Sequence, residues 1–326
     1  MTKKIIGIGN AIVDILCRVD DNFLREHNLI KGSMSLINEK TAETLSKLHV
    51  AQITSGGSVA NTIATLGQLT CNSQFIGKVG SDEFGKKFIE EFEKSGAKFI
   101  GENSYNKISA KSFILITPDA QRTMCTYLGC ASQINTHDIE DQNFKDADYL
   151  YLEGYLWDDA ETIEALQKAI QIAKKRDVKV AFSLSDSFCV TRHRQDFIDL
   201  VLNNLDILFA NEREALELVS EQKFSTEKLH EFFSANPNLT AIVTRSATGC
   251  TIFDCGSILE VPTEKVTNLI DTTGAGDAFA AGVFYGLVND FDLEKSARYG
   301  NLLASKIIQK FGARFEKKEV QNLSTT

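Results

Sequence analysis

Short apolar runs alternate along this chain with longer stretches of helical period. Residues 4–8, 73–76, 149–152, 179–183, 207–210 and 241–244 are compact, mostly apolar segments that read as strands. Between them, residues 60–68, 83–94, 160–176 and 226–235 carry apolar positions at helical spacing. In the 160–176 stretch, Ile163, Leu166, Ile170 and Ala173 fall on one face, the pattern of a helix laid over a sheet. Strand followed by helix, repeated, predicts an α/β fold with a central, mostly parallel sheet and helices on both faces.

Two regions break that rhythm. Residues 15–37 and 104–128 lack long helical patterns and carry β-type residues, as in the run Lys111-Ser-Phe-Ile-Leu-Ile-Thr117 ahead of Pro118-Asp-Ala120. They predict a small, discontinuous β lid over the open end of the main sheet. With three prolines and no low-complexity segment, no linker divides the chain, and residues 1–326 are expected to form one domain. Ligands of open α/β sheets bind at the carboxyl ends of strands. That rule directs attention to Asn10, Asp14, Asn211, Glu214, Arg245 and the 271–277 loop, each placed just after a predicted strand.

Composition narrows the class. Hydrophobic residues are 43% and charged residues 24%, with a formal net charge of −9, so no field favours nucleic acid or an anionic membrane. Seven scattered cysteines form no Cys-x-x-Cys pair, which argues against both a disulfide framework and a zinc site. No apolar run approaches the roughly 20 residues of a membrane span, and no secretory leader pattern follows Met1. A cytoplasmic protein is expected, monomeric or homodimeric, with small-molecule partners only.

Two glycine patterns mislead. Gly80-Ser-Asp-Glu-Phe-Gly85-Lys86-Lys87 nearly spells a Walker A loop, but Lys87 stands where a magnesium-ligating hydroxyl is required. Gly7-Ile-Gly9-Asn-Ala-Ile12 starts like a dinucleotide fingerprint, but bulky Ile12 replaces its third glycine.

The strongest chemical signal is Asp271-Thr-Thr-Gly-Ala-Gly-Asp277. Small residues at Gly274, Ala275 and Gly276 let the backbone approach a ligand and expose successive amides. If a helix starts near Gly276, its dipole and first N–H groups form an anion hole suited to a transferring phosphoryl group. Asp277 can then take a proton from a hydroxyl placed against that hole. The rival reading is a carboxylate that merely caps a helix. A second motif, Ser55-Gly56-Gly57-Ser-Val-Ala-Asn61, offers close main-chain contact and an amide side chain at a helix start.

Taken together, Gly56-Gly57-x-x-x-Asn61, Gly77-x-Val-Gly80-x-Asp82-x-x-Gly85 and Asp271-x-Thr-Gly-Ala-Gly-Asp277 resemble the ribokinase/PfkB kinases over essentially the whole chain. The resemblance implies a ribokinase-like fold and transfer of the ATP γ-phosphoryl to a hydroxymethyl group of a sugar or nucleoside. It makes Asp277 the catalytic base, Gly274–Gly276 the anion hole, and Gly56, Gly57 and Asn61 substrate contacts. Asn211 and Glu214 match the family's Asn-x-x-Glu motif, implicated in ATP binding and in holding Mg²⁺ through water. The rival for that pair is a capping box. Thr244, Arg245 and Gly249 resemble the loop bordering the nucleotide, with Thr273 beside the phosphates and Asn301 and Gly312-Ala313 on the adenine side. A monovalent cation such as K⁺ is conceivable near Asp271 and Thr273.

Within the family the chain looks closest to adenosine kinases and their bacterial relatives. Asp14, with Asn10, suits a cis-diol, because a carboxylate accepts from two vicinal hydroxyls. Arg122 resembles an arginine that reaches the phosphates from the lid. Tyr155, Trp157 and Phe188 offer a stacking wall for a base, core packing being the rival reading. Two departures stand out: Ser187 where many adenosine kinases have proline, and the charge of Asp186. A sugar kinase acting on a ribose- or fructose-like furanose is the alternative. A non-catalytic binding protein on this fold is a remote one.

Overall fold

A computed structural model of the chain describes residues 3–101, 103–104, 106–119 and 121–323. Residues 105 and 120, inside the 104–128 stretch singled out above, lie outside the described residues.

The main sheet has nine strands. From one edge they run Lys98–Ile100, Asn72–Ile76, Lys4–Ile8, Tyr149–Glu153, Lys179–Ser183, Ile207–Asn211 and Thr240–Thr244, each parallel to its neighbours. The antiparallel strands Cys250–Asp254 and Ser257–Val261 complete the other edge. Both faces are covered, which is why the parallel strands read as continuous apolar runs. Period-two alternation sorts their side chains into two cores. Ile5, Tyr149, Tyr151 and Phe209 pack into one, with Val59 and Ile63 of helix Ser58–Gln68 and Phe279 and Phe284 of helix Ala275–Val288. Ile6, Leu150, Leu152 and Phe182 face the other way, into a core shared with helices Ala160–Lys175 and Ser187–Asn203.

A second sheet of five strands runs Met34–Leu36, Arg122–Tyr127, Ala110–Ile116, Ile12–Arg18, Val50–Gly56. Its Val13, Ile15, Phe113 and Cys125 are buried in the first of the two cores, so the sheets share one interior. Three differences from the sequence reading follow. The strand Val50–Gly56 was not predicted, because its partly exposed positions do not alternate and it runs straight into a glycine pair. The 15–37 stretch is not purely β: Asp20 caps a short helix, Asp21–Glu26. Asp14 does not follow the first strand as a loop residue but sits within Ile12–Arg18, opposite Thr54.

Both glycine decoys are structural. The Asp82 carboxylate caps helix Glu83–Glu93 at Gly85 N (2.8 Å) and accepts from Ser109 N (2.8 Å) and Oγ (2.6 Å), tying that helix to the second sheet. Gly7 lies under helix Ser58–Gln68, where an added Cβ would come within 2.5 Å of Val59 and Ile63.

Candidate active site

The helix Ala275–Val288 begins behind Gly274, whose φ of +77° is left-handed. Any side chain would be strained there: a Cβ would stand 2.5 Å from the Ala313 Cβ and 2.8 Å from its Cα. Ala278 N–H donates to the Gly274 carbonyl (2.8 Å), closing the first turn. Ala275 N–H is taken by the Thr272 carbonyl (3.2 Å), so it is not a free anion-hole donor. The amides of Gly276 and Asp277 have no acceptor among the described residues. A Cβ at Gly276 would meet nothing within 4 Å, so the two free amides border open space.

The Asp277 carboxylate is fixed from the neighbouring helix. Ser58 Oγ donates to Oδ1 (2.7 Å) and Asn61 Nδ2 to Oδ2 (2.9 Å), while Thr62 Oγ1 donates to its main-chain carbonyl (3.1 Å). Burial pushes its pKa up to about 6, and the Asn61 and Ser58 hydrogen bonds and the charge of Arg314 pull the other way. The residue is nevertheless only half-buried. Asn61 thus serves the carboxylate directly, and its Oδ1 is a buried atom with no partner.

Gly57, φ +100°, starts the helix that carries Ser58 and Asn61; a Cβ there would meet the Asn10 carbonyl at 2.1 Å. A Cβ on Gly56 would strike the Asp14 carboxylate at 2.3–2.8 Å, so the glycine pair makes room for Asp14. Burial pushes Asp14 up to about 7, with Arg314 and Arg122 opposing and Asp277 adding to the rise. Behind Asn10 lies Glu153, fully buried at the end of its strand. It accepts from Asn10 N (2.8 Å), Asn10 Nδ2 (3.0 Å) and Val59 N (2.9 Å), and burial raises it to about 7. The sequence reading missed Glu153, since a lone carboxylate after a strand carries no motif.

Arg122, from the second sheet, pairs through Nη1 with Asp271, and its Nη2 is a buried donor without partner. Asp271 also accepts from Thr273 N (3.1 Å), Thr273 Oγ1 (2.7 Å) and Gly312 N (2.8 Å). The carboxylate considered for a monovalent cation is therefore already matched by a guanidinium. Arg314, next to the Gly312-Ala313 pair, was also missed; it donates from Nε to the Ser55 carbonyl (3.0 Å) and from Nη2 to Ser55 Oγ (3.2 Å).

The remaining sequence candidates sit apart in the hydrogen-bond network. Asn211 and Glu214 form a reciprocal capping box on helix Glu212–Val219, with Glu214 N donating to Asn211 Oδ1 (2.9 Å) and Asn211 N to Glu214 Oε2 (2.8 Å). Burial raises Glu214 to about 7, and the neighbouring charge of Asp186 adds to the rise. Thr244 Oγ1 reaches only the Ala210 carbonyl (3.4 Å). Arg245 lies between Glu212 (3.4 Å) and Glu260 (3.3 Å) and over the Phe224 ring. Gly249, φ +96°, backs onto the Val261 carbonyl, and Asn301 Nδ2 donates to that same carbonyl (3.2 Å). Asn301 borders a cavity of about 520 Å³ with Pro262, Thr263, Leu302 and Ser305. Tyr155 Oη donates to the Ser185 carbonyl (3.2 Å), and Phe188, three residues on, is 67% exposed. Trp157 belongs to the core instead, edge-on to Phe182 and Phe197, because the strand ends in a turn that rolls it inward.

A large, mostly parallel sheet flanked by helices and joined by a smaller β-sheet is the ribokinase-like architecture of small-molecule kinases. Residues 27–319 match the pfkB family carbohydrate kinases, and the chain belongs to that family. An adenosine kinase from Sinorhizobium meliloti is 35% identical and superposes at a TM-score of 0.88, covering 100% of this chain and 99% of its own. A probable sugar kinase from Rhizobium etli CFN 42 is 34% identical at the same TM-score of 0.88, covering 99% of both chains. The adenosine kinase of Saccharomyces cerevisiae is 25% identical over 98% of this chain and 99% of its own.

Proposed function

We propose that this kinase transfers the γ-phosphoryl of ATP to the primary hydroxyl of a nucleoside, adenosine to AMP being the best match. One observation carries the reaction: a half-buried carboxylate, Asp277, locked by Ser58 and Asn61 beside two free amides at a helix start. The hydroxyl proton passes to Asp277 as the phosphoryl oxygens settle on the Gly276 and Asp277 amides. Arg122 Nη2, a buried donor with no acceptor, supplies a further phosphate contact. Asp14 takes the vicinal hydroxyls of the acceptor, with Asn10, Gly56, Gly57 and Asn61 shaping the pocket around them. The second sheet, which carries Asp14 and Arg122, acts as a lid that excludes water.

ATP chemistry of this kind calls for Mg²⁺, which would supply charge neutralisation for the phosphates. Burial and the neighbouring charge of Asp186 raise Glu214, and no cationic side chain is among the causes acting on it. That donor chemistry suits a hydrated cation held through water by Glu214 and Asn211. A monovalent cation at Asp271 would have to compete with Arg122. Nucleotide binding falls to Thr244, Arg245, Gly249, Thr273 and Asn301.

For the acceptor, the exposed Phe188 ring favours a nucleoside, since a planar base can stack on it. The hydroxyl-reading set around Asp14 favours a furanose sugar equally well, and this is the second reading. An ADP-release assay across adenosine, inosine, guanosine, ribose and fructose separates them. Turnover of adenosine at least tenfold above the sugars is expected, and preferred turnover of ribose or fructose would overturn the nucleoside reading. No turnover on any acceptor would leave only a binding role. No described helix is long and apolar enough to cross a membrane.

A further inference from the structure

Arg314 stands where three parts of the site meet. Its own loop is fastened to the anion-hole segment twice: Gly312 N–H donates to Asp271 (2.8 Å), and Ala313 fills the space against Gly274. One residue further, the Phe315 carbonyl accepts from Gln68 Nε2 (2.6 Å), at the end of the helix that carries Asn61. The guanidinium is anchored on both oxygens of Ser55, the residue before the glycine pair. Gly56 lies against Asp14, and Ser58 and Asn61 hold Asp277, so the segment that anchors the guanidinium also borders both carboxylates, whose charges act on Arg314. Arg314 Nη1 has no acceptor among the described residues.

Two carboxylates in one cleft repel each other, and each gains from a fixed cation between them. The charged and titratable groups around Asp277 are Arg314, Asp14, Glu153, Tyr151 and Tyr155; those around Asp14 are Arg314, Asp277 and Arg122. Arg122 is already paired with Asp271, which leaves Arg314 as the cation acting on both.

We propose that Arg314 is a positioning residue for phosphoryl transfer: the shared counter-charge of Asp14 and Asp277, anchored on Ser55 so that the diol-reading and proton-accepting carboxylates stay ionised together. This rests on the kinase reading for its purpose, but the geometry can be tested without turnover.

The test is a carbon-13 carboxyl NMR titration of the unliganded protein, with Asp14 and Asp277 assigned from Asp14→Asn and Asp277→Asn. In Arg314→Met and Arg314→Gln both midpoints should rise by about one pH unit, while Arg314→Lys, which keeps the charge, should leave them near the wild-type values. Unmoved midpoints in a folded neutral variant would overturn the proposal. If neither neutral variant folds, Arg314→Lys decides: a raised acceptor KM with an unmoved acidic limb supports it, and a normal KM or a displaced limb refutes it. In turnover, the neutral variants should lose roughly 10–30-fold in kcat/KM near pH 6.5 and much less above pH 8, since a base must be deprotonated to act. A loss equal at both pH values would mean a merely structural role. An inactive wild type would defeat the kinase reading and leave the titration result standing.

Discussion

Asp277 is held in a state that suits a base at neutral pH. Burial raises it to about 6, so it is mostly ionised at pH 7 yet basic enough to draw a proton from a hydroxyl. Asp277→Asn should therefore lower kcat by roughly 10²–10⁴-fold with little change in acceptor binding, measured by steady-state kinetics and calorimetry. Asn61→Ala removes one of its two side-chain donors, raises its pKa, and should move the acidic limb of kcat/KM upward. Asp14 carries a cost of the same kind, and a larger one. Its folded-state pKa of about 7 lies above the ordinary 3.8, so the folded form binds the extra proton and stability falls as pH rises through that window. Asp14→Asn should raise Tm at pH 8, and the gain should vanish near pH 3, below both values. Thermal melts of the two proteins across pH would show it.

On the proposed reading helix starts carry the chemistry, and their glycines do different jobs. Gly274→Ala forces a left-handed backbone on alanine and drives a Cβ into Ala313, so it should cost about 1–3 kcal/mol of stability. Gly276→Ala meets no protein atom within 4 Å, so it should leave Tm unchanged and cut turnover by crowding the phosphoryl position. Denaturation and kinetics on the pair separate fold from function. The sequence showed both glycines as one motif and could not tell them apart, because the difference lies in Ala313, some forty residues later. The Asn211/Glu214 motif shows the converse ambiguity. Its capping box is fully formed, and Asn211→Ala should destabilise the protein by about 1 kcal/mol whatever its part in magnesium handling.

Across the whole molecule, the parallel sheet was legible because strands buried on both faces leave unbroken apolar runs, as at Lys4–Ile8 and Tyr149–Glu153. The second sheet was harder to read. Its strands are pieces interleaved with the main sheet, and Val50–Gly56 carries neither alternation nor an apolar run. Motifs named Asp277, Gly56 and Gly57 because their chemistry is local. Glu153 and Arg314 were invisible because their roles come only from partners far along the chain, Val59 for one and Ser55 for the other. Arg122 joins the second sheet to the anion-hole loop through Asp271, so Arg122→Met should weaken ATP binding and loosen the second sheet, read as faster amide exchange in Ile12–Arg18.

The reach of the 312–315 segment has a consequence for how the protein comes into being. Its backbone and side chains complete the bonding of Asp271, seat Gly274, anchor Ser55 and receive Gln68. A chain still emerging from the ribosome can thus build the main sheet while its catalytic centre stays unassembled. Nicked or prematurely ended products that stop short of Gly312 should therefore fold in part yet remain inert.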